Sequence, residues 1–317
     1  MSESPNTPTQ SAAAAPEILH IDLPHLRVCA LAWGPADGRL VLCLHGYPDT
    51  AWTWRHLGPA LAAQGYRVIA PFSRGYAPTE IPRDGDYHIG ALMHDAIALH
   101  RHLGGGDDAV LIGHDWGAFT VNGLAAYPGS PFGAHVMMAV PPLRAFDNLG
   151  RGLLENLRMT AIQLRRSWYV LFFQLPFVPE RVLHRVIPRL WRDWSPPGAD
   201  VDDGVRSALA ALPSIAHRRA AVSYYRSMVR FTSAPRQYAG LHRFRFSLPR
   251  VPVLVLHGEQ DGAIQLGYLD GVIDALPPGS RVRAISGAGH FLQIDQPAAV
   301  GDAILEYLKV DAAQRRS

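Results

Sequence analysis

Between His25 and Ile285 short, β-branched apolar runs alternate with longer stretches whose apolar residues recur every three or four positions, and this rhythm constrains the fold most. The runs lie at 25–33, 40–45, 67–72, 109–113, 134–140, 252–257 and 281–285, while helical spacing fills 51–64, 88–103, 117–127 and 297–309. Units of this kind build a mostly parallel sheet flanked by helices, an α/β architecture. The rhythm breaks once. From Pro141-Pro142 to about Phe246 the chain carries helical spacing and many aromatics but no convincing strand, over a length too great for a structureless loop. Four or five helices inserted between two strands are expected there. The resulting organisation is a disordered leader over 1–16, a core in two parts over 17–142 and 246–317, and a helical cap over 143–245.

Composition narrows the classes of function. A chain of 317 residues with 48% hydrophobic and 18% charged residues is ordinary globular protein, and a net charge of +3 is too small to hold the whole molecule to nucleic acid. The charge is unevenly placed: residues 144–250 hold 18 Arg against 7 acids, and the remainder 11 Arg and Lys309 against 20 acids. Such a basic insertion either lies in solvent with its Arg stems over apolar helix faces or meets an acidic partner or membrane surface. Cys29 and Cys43, both in apolar runs, exclude a disulfide framework and read as buried thiols, which fits a reducing compartment. No run approaches the ~18 apolar residues of a spanning helix, and the leader lacks a basic start and an apolar h-region, so a cytoplasmic location is expected. With no HExxH spacing or carboxylate cluster, neither a metal nor a cofactor is expected.

The chemistry concentrates where runs end. Gly113-His114-Asp115-Trp116-Gly117-Ala118 follows the run ending at Ile112 and precedes helical spacing, which predicts a strand–turn–helix elbow with small residues flanking its centre. The central residue is Asp115. A carboxylate there is a nucleophile for an sp³ electrophile and becomes an alkyl ester; alternatively Asp115 only caps the helix. His45-Gly46-Tyr47-Pro48 ends the run before it and would set the Tyr47 amide beside the elbow, a second oxyanion donor with the amide of Trp116. Gly287-Ala288-Gly289-His290 follows the last run, and Asp261 follows the run 252–257, completing the order nucleophile, acid, base. Asp147, after the run 134–140, competes with Asp261 as the acid. His45, His114 and His257 read as supports for the backbone of these loops.

These residues resemble the α/β-hydrolase-fold epoxide hydrolases over essentially everything after the leader. HGxP with an aromatic x fits 45–48, GHDWGA fits 113–118 and GxGHF fits 287–291. The resemblance implies an eight-stranded, mostly parallel sheet with an inserted cap, and two cap tyrosines that match Tyr169 and Tyr225, with Tyr224 as fallback. Their chemistry suits the reaction: a phenol of pKa about 10 stays protonated at neutral pH and can protonate the alkoxide of an opening epoxide. His45, Pro48, Trp116, Phe173 and Phe291 are expected to line the substrate site. The implied reactants are a small apolar epoxide and water, and homodimer formation stays open. One position departs from the family pattern: Phe72 stands where an acid often follows Pro71.

Other functions stay in view. A haloalkane dehalogenase would use the same aspartate and base but needs halide donors; Trp116 could be one, yet Tyr47 stands where those enzymes often carry Asn. An ester hydrolase lacks its GxSxG, since Ser130 has no elbow around it. A ligand-binding homologue without turnover is the remaining class.

Overall fold

The computed structural model describes residues 15–142, 152–230 and 232–316. Its centre is an eight-stranded sheet: β1 (Glu17–Leu23), β2 (Leu26–Trp33), β3 (Arg39–Leu44), β4 (Tyr66–Pro71), β5 (Val110–His114), β6 (Ala134–Met138), β7 (Leu254–Gly258) and β8 (Arg281–Ile285), in the spatial order β1-β2-β4-β3-β5-β6-β7-β8. The pairs β1–β2 and β2–β4 are antiparallel and the others parallel. All seven expected runs are strands. β1 escaped notice because Glu17, His20 and Asp22 interrupt it and only Ile21 and Leu23 are buried, the pattern of an edge strand covered on one face. Central β5 is the opposite case. All five of its residues are buried, so it reads as an unbroken apolar run.

Helices α1 (Leu57–Ala62), α2 (Ile89–His102), α3 (Trp116–Ala126), α10 (Leu292–Asp295) and α11 (Pro297–Arg316) accompany the sheet. The expected helix over 51–64 divides into a 3₁₀ turn, Ala51–Trp54, and short α1. Between β6 and β7 stand six described helices rather than four or five: α4 (Leu153–Arg166), α5 (Trp168–Phe172), α6 (Val178–Trp194), α7 (Asp202–Ala210), α8 (Ile215–Val229) and α9 (Arg236–His242). The extra helices are short. α5 has five residues and α9 seven, fewer than two turns each, and periodicity does not resolve elements of that length. Among the described residues no helix is long and apolar enough to cross a membrane. Cys29 and Cys43 are buried free thiols, as expected.

Because β3, β5, β7 and β8 are parallel, their carboxyl ends open on one edge of the sheet, where α/β folds collect their reactive loops. The last part of the insertion's α6 is wedged among those loops. Trp191 donates its indole N–H to the Pro48 carbonyl at 2.7 Å, its ring stacks on Phe291 at 3.6 Å, and the Trp194 carbonyl accepts from the His290 amide at 2.9 Å.

Candidate active site

The elbow forms as expected. Asp115 lies between β5 and α3 at φ 52°, ψ −111°, a conformation that costs a non-glycine residue about 1–3 kcal/mol and that packing must hold. The flanking glycines are required by contact: a Cβ on Gly113 would stand 2.7 Å from a Val121 methyl, and one on Gly117 2.8 Å from the Leu44 carbonyl carbon. Asp115 does not cap α3 through its side chain, which disposes of the capping alternative. Its Oδ1 instead accepts the Tyr47 amide at 2.7 Å, across 68 residues of sequence. Oδ2 is left free, 3.7 Å from His290 Nε2, and a tenth of the side chain stays accessible.

His290 is held from behind. Its Nδ1 and Asp261 Oδ2 are 2.9 Å apart, while Asp261 Oδ1 accepts the amides of Ala263 and Ile264 at 2.7 and 2.9 Å. Asp261 is therefore the acid that meets His290; the competing Asp147 lies outside the described residues. Burial works against a charge on the ring, yet the carboxylates of Asp261 and Asp115 prevail and push His290 up to about 10. Its Nε2 is buried with no hydrogen-bond partner, aimed at Asp115.

The two predicted phenols stand near enough to Asp115 to feel its charge. The Tyr225 ring meets Tyr47, Tyr169 and Trp116 edge-on at centroid distances of 5.3, 5.4 and 5.2 Å, with Phe173 tilted at 5.3 Å. Burial, and then the charge of nearby Asp115, raises the pKa of Tyr169; burial likewise holds Tyr225 well above the ordinary phenol range, with Tyr169 and Asp115 adding to it. Both stay protonated. The Tyr225 hydroxyl is buried and has no hydrogen-bond partner, whereas the fallback Tyr224 spends its hydroxyl on the Arg74 carbonyl at 2.8 Å. That contrast separates the neighbours.

The expected lining residues divide. Phe173 and Trp116 touch the phenols; Pro48 contributes its carbonyl to Trp191; Phe291 is fully buried in its stack with Trp191 and reads as packing. His45 supports the backbone, its Nδ1 2.8 Å from the Gly46 carbonyl and its Nε2 accepting the Ser73 amide at 2.9 Å. That bond holds the loop after β4, where Phe72 is simply buried. His257 lies against the Ile264 carbonyl at 3.2 Å.

Sequence reasoning passed over Asp49. Burial raises its carboxyl to about 7, although Thr53 and the Thr50 amide act the other way, and its Oδ2 lies 3.9 Å from His114 Nδ1. The other nitrogen of His114, Nε2, donates to the His290 carbonyl at 2.9 Å, so His114 holds the backbone of His290 while the Asp49 carboxyl lies just beyond hydrogen-bond reach of His114. The signal available was an acid directly after the HGYP segment. Among the described residues His25, His94 and Asp95 have ligand-like spacing, but Asp95 already accepts Arg74 at 2.6 Å through each oxygen and His25 at 2.7 Å, leaving little for a cation.

A family model described as the alpha/beta hydrolase fold matches residues 39–297, and the chain belongs to that family. Within it, the chain is similar to proteins named epoxide hydrolases. It is 29% identical over 329 residues to epoxide hydrolase A of Mycobacterium tuberculosis, covering 93% of this chain and 98% of that protein. It is also 29% identical over 297 residues to epoxide hydrolase 3 of Xenopus tropicalis, covering 92% and 77%. Two solved structures share the fold: epoxide hydrolase A from Mycobacterium thermoresistibile (TM-score 0.71, 24% identity, 93% and 98% covered) and a haloalkane dehalogenase loop variant from Bradyrhizobium elkanii (TM-score 0.74, 19% identity, 96% and 100% covered).

Proposed function

We propose that the protein is an epoxide hydrolase that converts an apolar epoxide to a vicinal diol through an ester on Asp115. The observation that carries this reading is the idle, buried hydroxyl of Tyr225 beside a carboxylate with one free oxygen. An unsatisfied buried hydroxyl costs about 1–3 kcal/mol, a cost that makes sense if the substrate oxygen completes it.

In the first stage Asp115 Oδ2 attacks an oxirane carbon from the side opposite the ring oxygen. That C–O bond breaks, and Tyr169 and Tyr225 hold the developing alkoxide, one of them giving it a proton. The phenolate so formed is reprotonated at the expense of the proton that His290 carries in the resting site, and the ring becomes neutral. Ester formation itself favours this change, since it removes the Asp115 charge that had raised the imidazole. In the second stage His290, oriented by Asp261, takes a proton from water as that water attacks the Asp115 carbonyl carbon. The charge collects on Oδ1, already bonded to the Tyr47 amide, with the Trp116 amide as second donor. The bond between the carbonyl carbon and Oδ2 then breaks, the proton of the hydroxyl added by water passes to Oδ2, the diol leaves with that oxygen, and the carboxylate is restored. The helical insertion acts as the cap over this site, the lining of Trp116 and Phe173 suits an apolar substrate, and the cytoplasm is the setting its buried thiols fit.

A single turnover in ¹⁸O-water tests the ester directly. The first diol should carry unlabelled oxygen taken from Asp115; label in that diol would mean that water attacks the epoxide itself. Haloalkane dehalogenation keeps every part except the need for phenols, so halide release from chloroalkanes without diol formation from styrene oxide would put that reading first.

A further inference from the structure

Of the fourteen large hydrophobic residues left exposed among the described residues, eight fall between positions 153 and 178. Four of them mark one stripe on α4. At 100° per residue Leu153, Leu164, Leu157 and Leu154 lie within an arc of about 100°, and they are 76%, 62%, 58% and 83% exposed. No α4 residue is fully buried.

A second feature lies at the end of the stripe. A cavity of about 400 Å³ is lined by Arg165, Arg166, Trp168, Arg189, Asp193 and Trp194, with Gly262. The Arg189 guanidinium lies 4.9 Å over the Trp168 ring, and its only acid there, Asp193, is the partner at 3.4 Å. Across residues 152–193 there are seven Arg against three acids, of which Glu180 is buried against Arg226 at 2.6 Å and Asp193 is paired with Arg189. The pocket at the end of the stripe, with three Arg against one Asp, is therefore positive.

We infer that this face docks on an anionic phospholipid bilayer, the leucines entering the acyl boundary and the Arg165–Arg189 pocket receiving lipid phosphate. Exposed Leu with Arg beside it is the pattern of a helix that lies in a membrane interface. A second copy of this chain fits worse, because facing stripes would bring the pocket arginines of one copy towards those of the other. Docking is independent of the hydrolase reading; that it gives the site access to epoxides dissolved in lipid is a consequence that rests on it.

Vesicle co-sedimentation of the full chain tests the inference. Binding is expected to vesicles containing phosphatidylglycerol and to be at least about tenfold weaker for phosphatidylcholine alone, for the bound state in half-molar salt, and for the variants Leu154→Glu/Leu157→Glu and Arg165→Glu. Inorganic phosphate at millimolar concentration should not displace the protein, since the leucines add affinity that free phosphate cannot match; displacement would mean an anion pocket rather than a docking face. Turnover of a small water-soluble epoxide should be unchanged in the variants, which confirms that they fold, and Leu154→Gln alone provides a milder check. Absence of binding, binding insensitive to the leucine changes, or a wild-type dimer that the double variant converts to monomer would each overturn it.

Discussion

At the scale of single residues, two positions separate stability from chemistry. Tyr225 loses nothing intramolecular when its hydroxyl is removed, because that group has no partner. Tyr225→Phe should therefore unfold at the same temperature as wild type or slightly higher, while kcat/KM for epoxide opening falls about 10–10³-fold. Thermal melts and initial rates on one preparation would check it, and a large drop in melting temperature would contradict the idle-hydroxyl account. Gly46 is tested the other way. The position a Cβ would take lies 2.7 Å from Asp115 Cγ, so Gly46→Ala must displace the Asp115 carboxylate from the Tyr47 amide. Activity should fall at least about 10²-fold, in line with the cost of small misplacements at a reacting centre. Gly46 stands in a segment whose chemistry the sequence displayed openly, since HGYP geometry depends on neighbours within a few positions, whereas Tyr225 was indicated only by the family resemblance. Asp49 was not legible in that way. Its meaning arises only from His114 and His290, which arrive from other strands.

At the scale of elements, a buried ion pair and a stacked aromatic pair are among the contacts that fix the insertion. Arg226, directly after Tyr225, reaches Glu180 on α6 at 2.6 Å and the carbonyls of Phe173 and Leu175 at 3.0 and 2.8 Å, so it spaces α8 from the segment that carries Tyr169. Arg226→Ala leaves Glu180 buried without its cation and should cost about 3–5 kcal/mol in denaturant unfolding; Glu180→Gln in the same background should recover part of that loss. If the double variant is no more stable than the single, the uncompensated charge is not the cause. The number of inserted helices was underestimated because the shortest of them have too few residues to show a period. β1 was missed for a related reason: an edge strand with one dry face carries little apolar signal.

At the scale of the whole molecule, pH dependence follows from the groups that meet at the sheet edge. The folded pKa of His290, about 10, lies above its ordinary value of 6.5, so the folded protein binds the proton more tightly than the unfolded chain does. Its contribution to stability is complete below about pH 6.5 and is lost as pH rises through 10. Between those limits wild type should lose melting temperature faster than His290→Gln; parallel curves would show that the ring is not held charged. His45 and His114, buried neutral and lowered to about 4 and 3, act with opposite sign. Their stabilisation is present above pH 6.5 and falls as acid protonates the unfolded chain first. An Asn at position 114 should accordingly flatten the loss of stability between pH 6.5 and 4.

The sequence by itself determined the alternation of strands and helices, the place of the insertion, and the elbow with the HGYP loop beside it, because each depends on periodicity or on bonds between near neighbours. It favoured Asp261 over the competing Asp147 by the place of each after its run, but carried no distance from either to His290. Only the tertiary structure set Asp261 against His290, bonded the buried Tyr224 hydroxyl to the Arg74 carbonyl while leaving the Tyr225 hydroxyl unpartnered, and drove α6 among the loops at the carboxyl edge of the sheet. These outcomes depend on which atoms packing brings together across tens to hundreds of residues, and a one-dimensional pattern carries no distances of that kind.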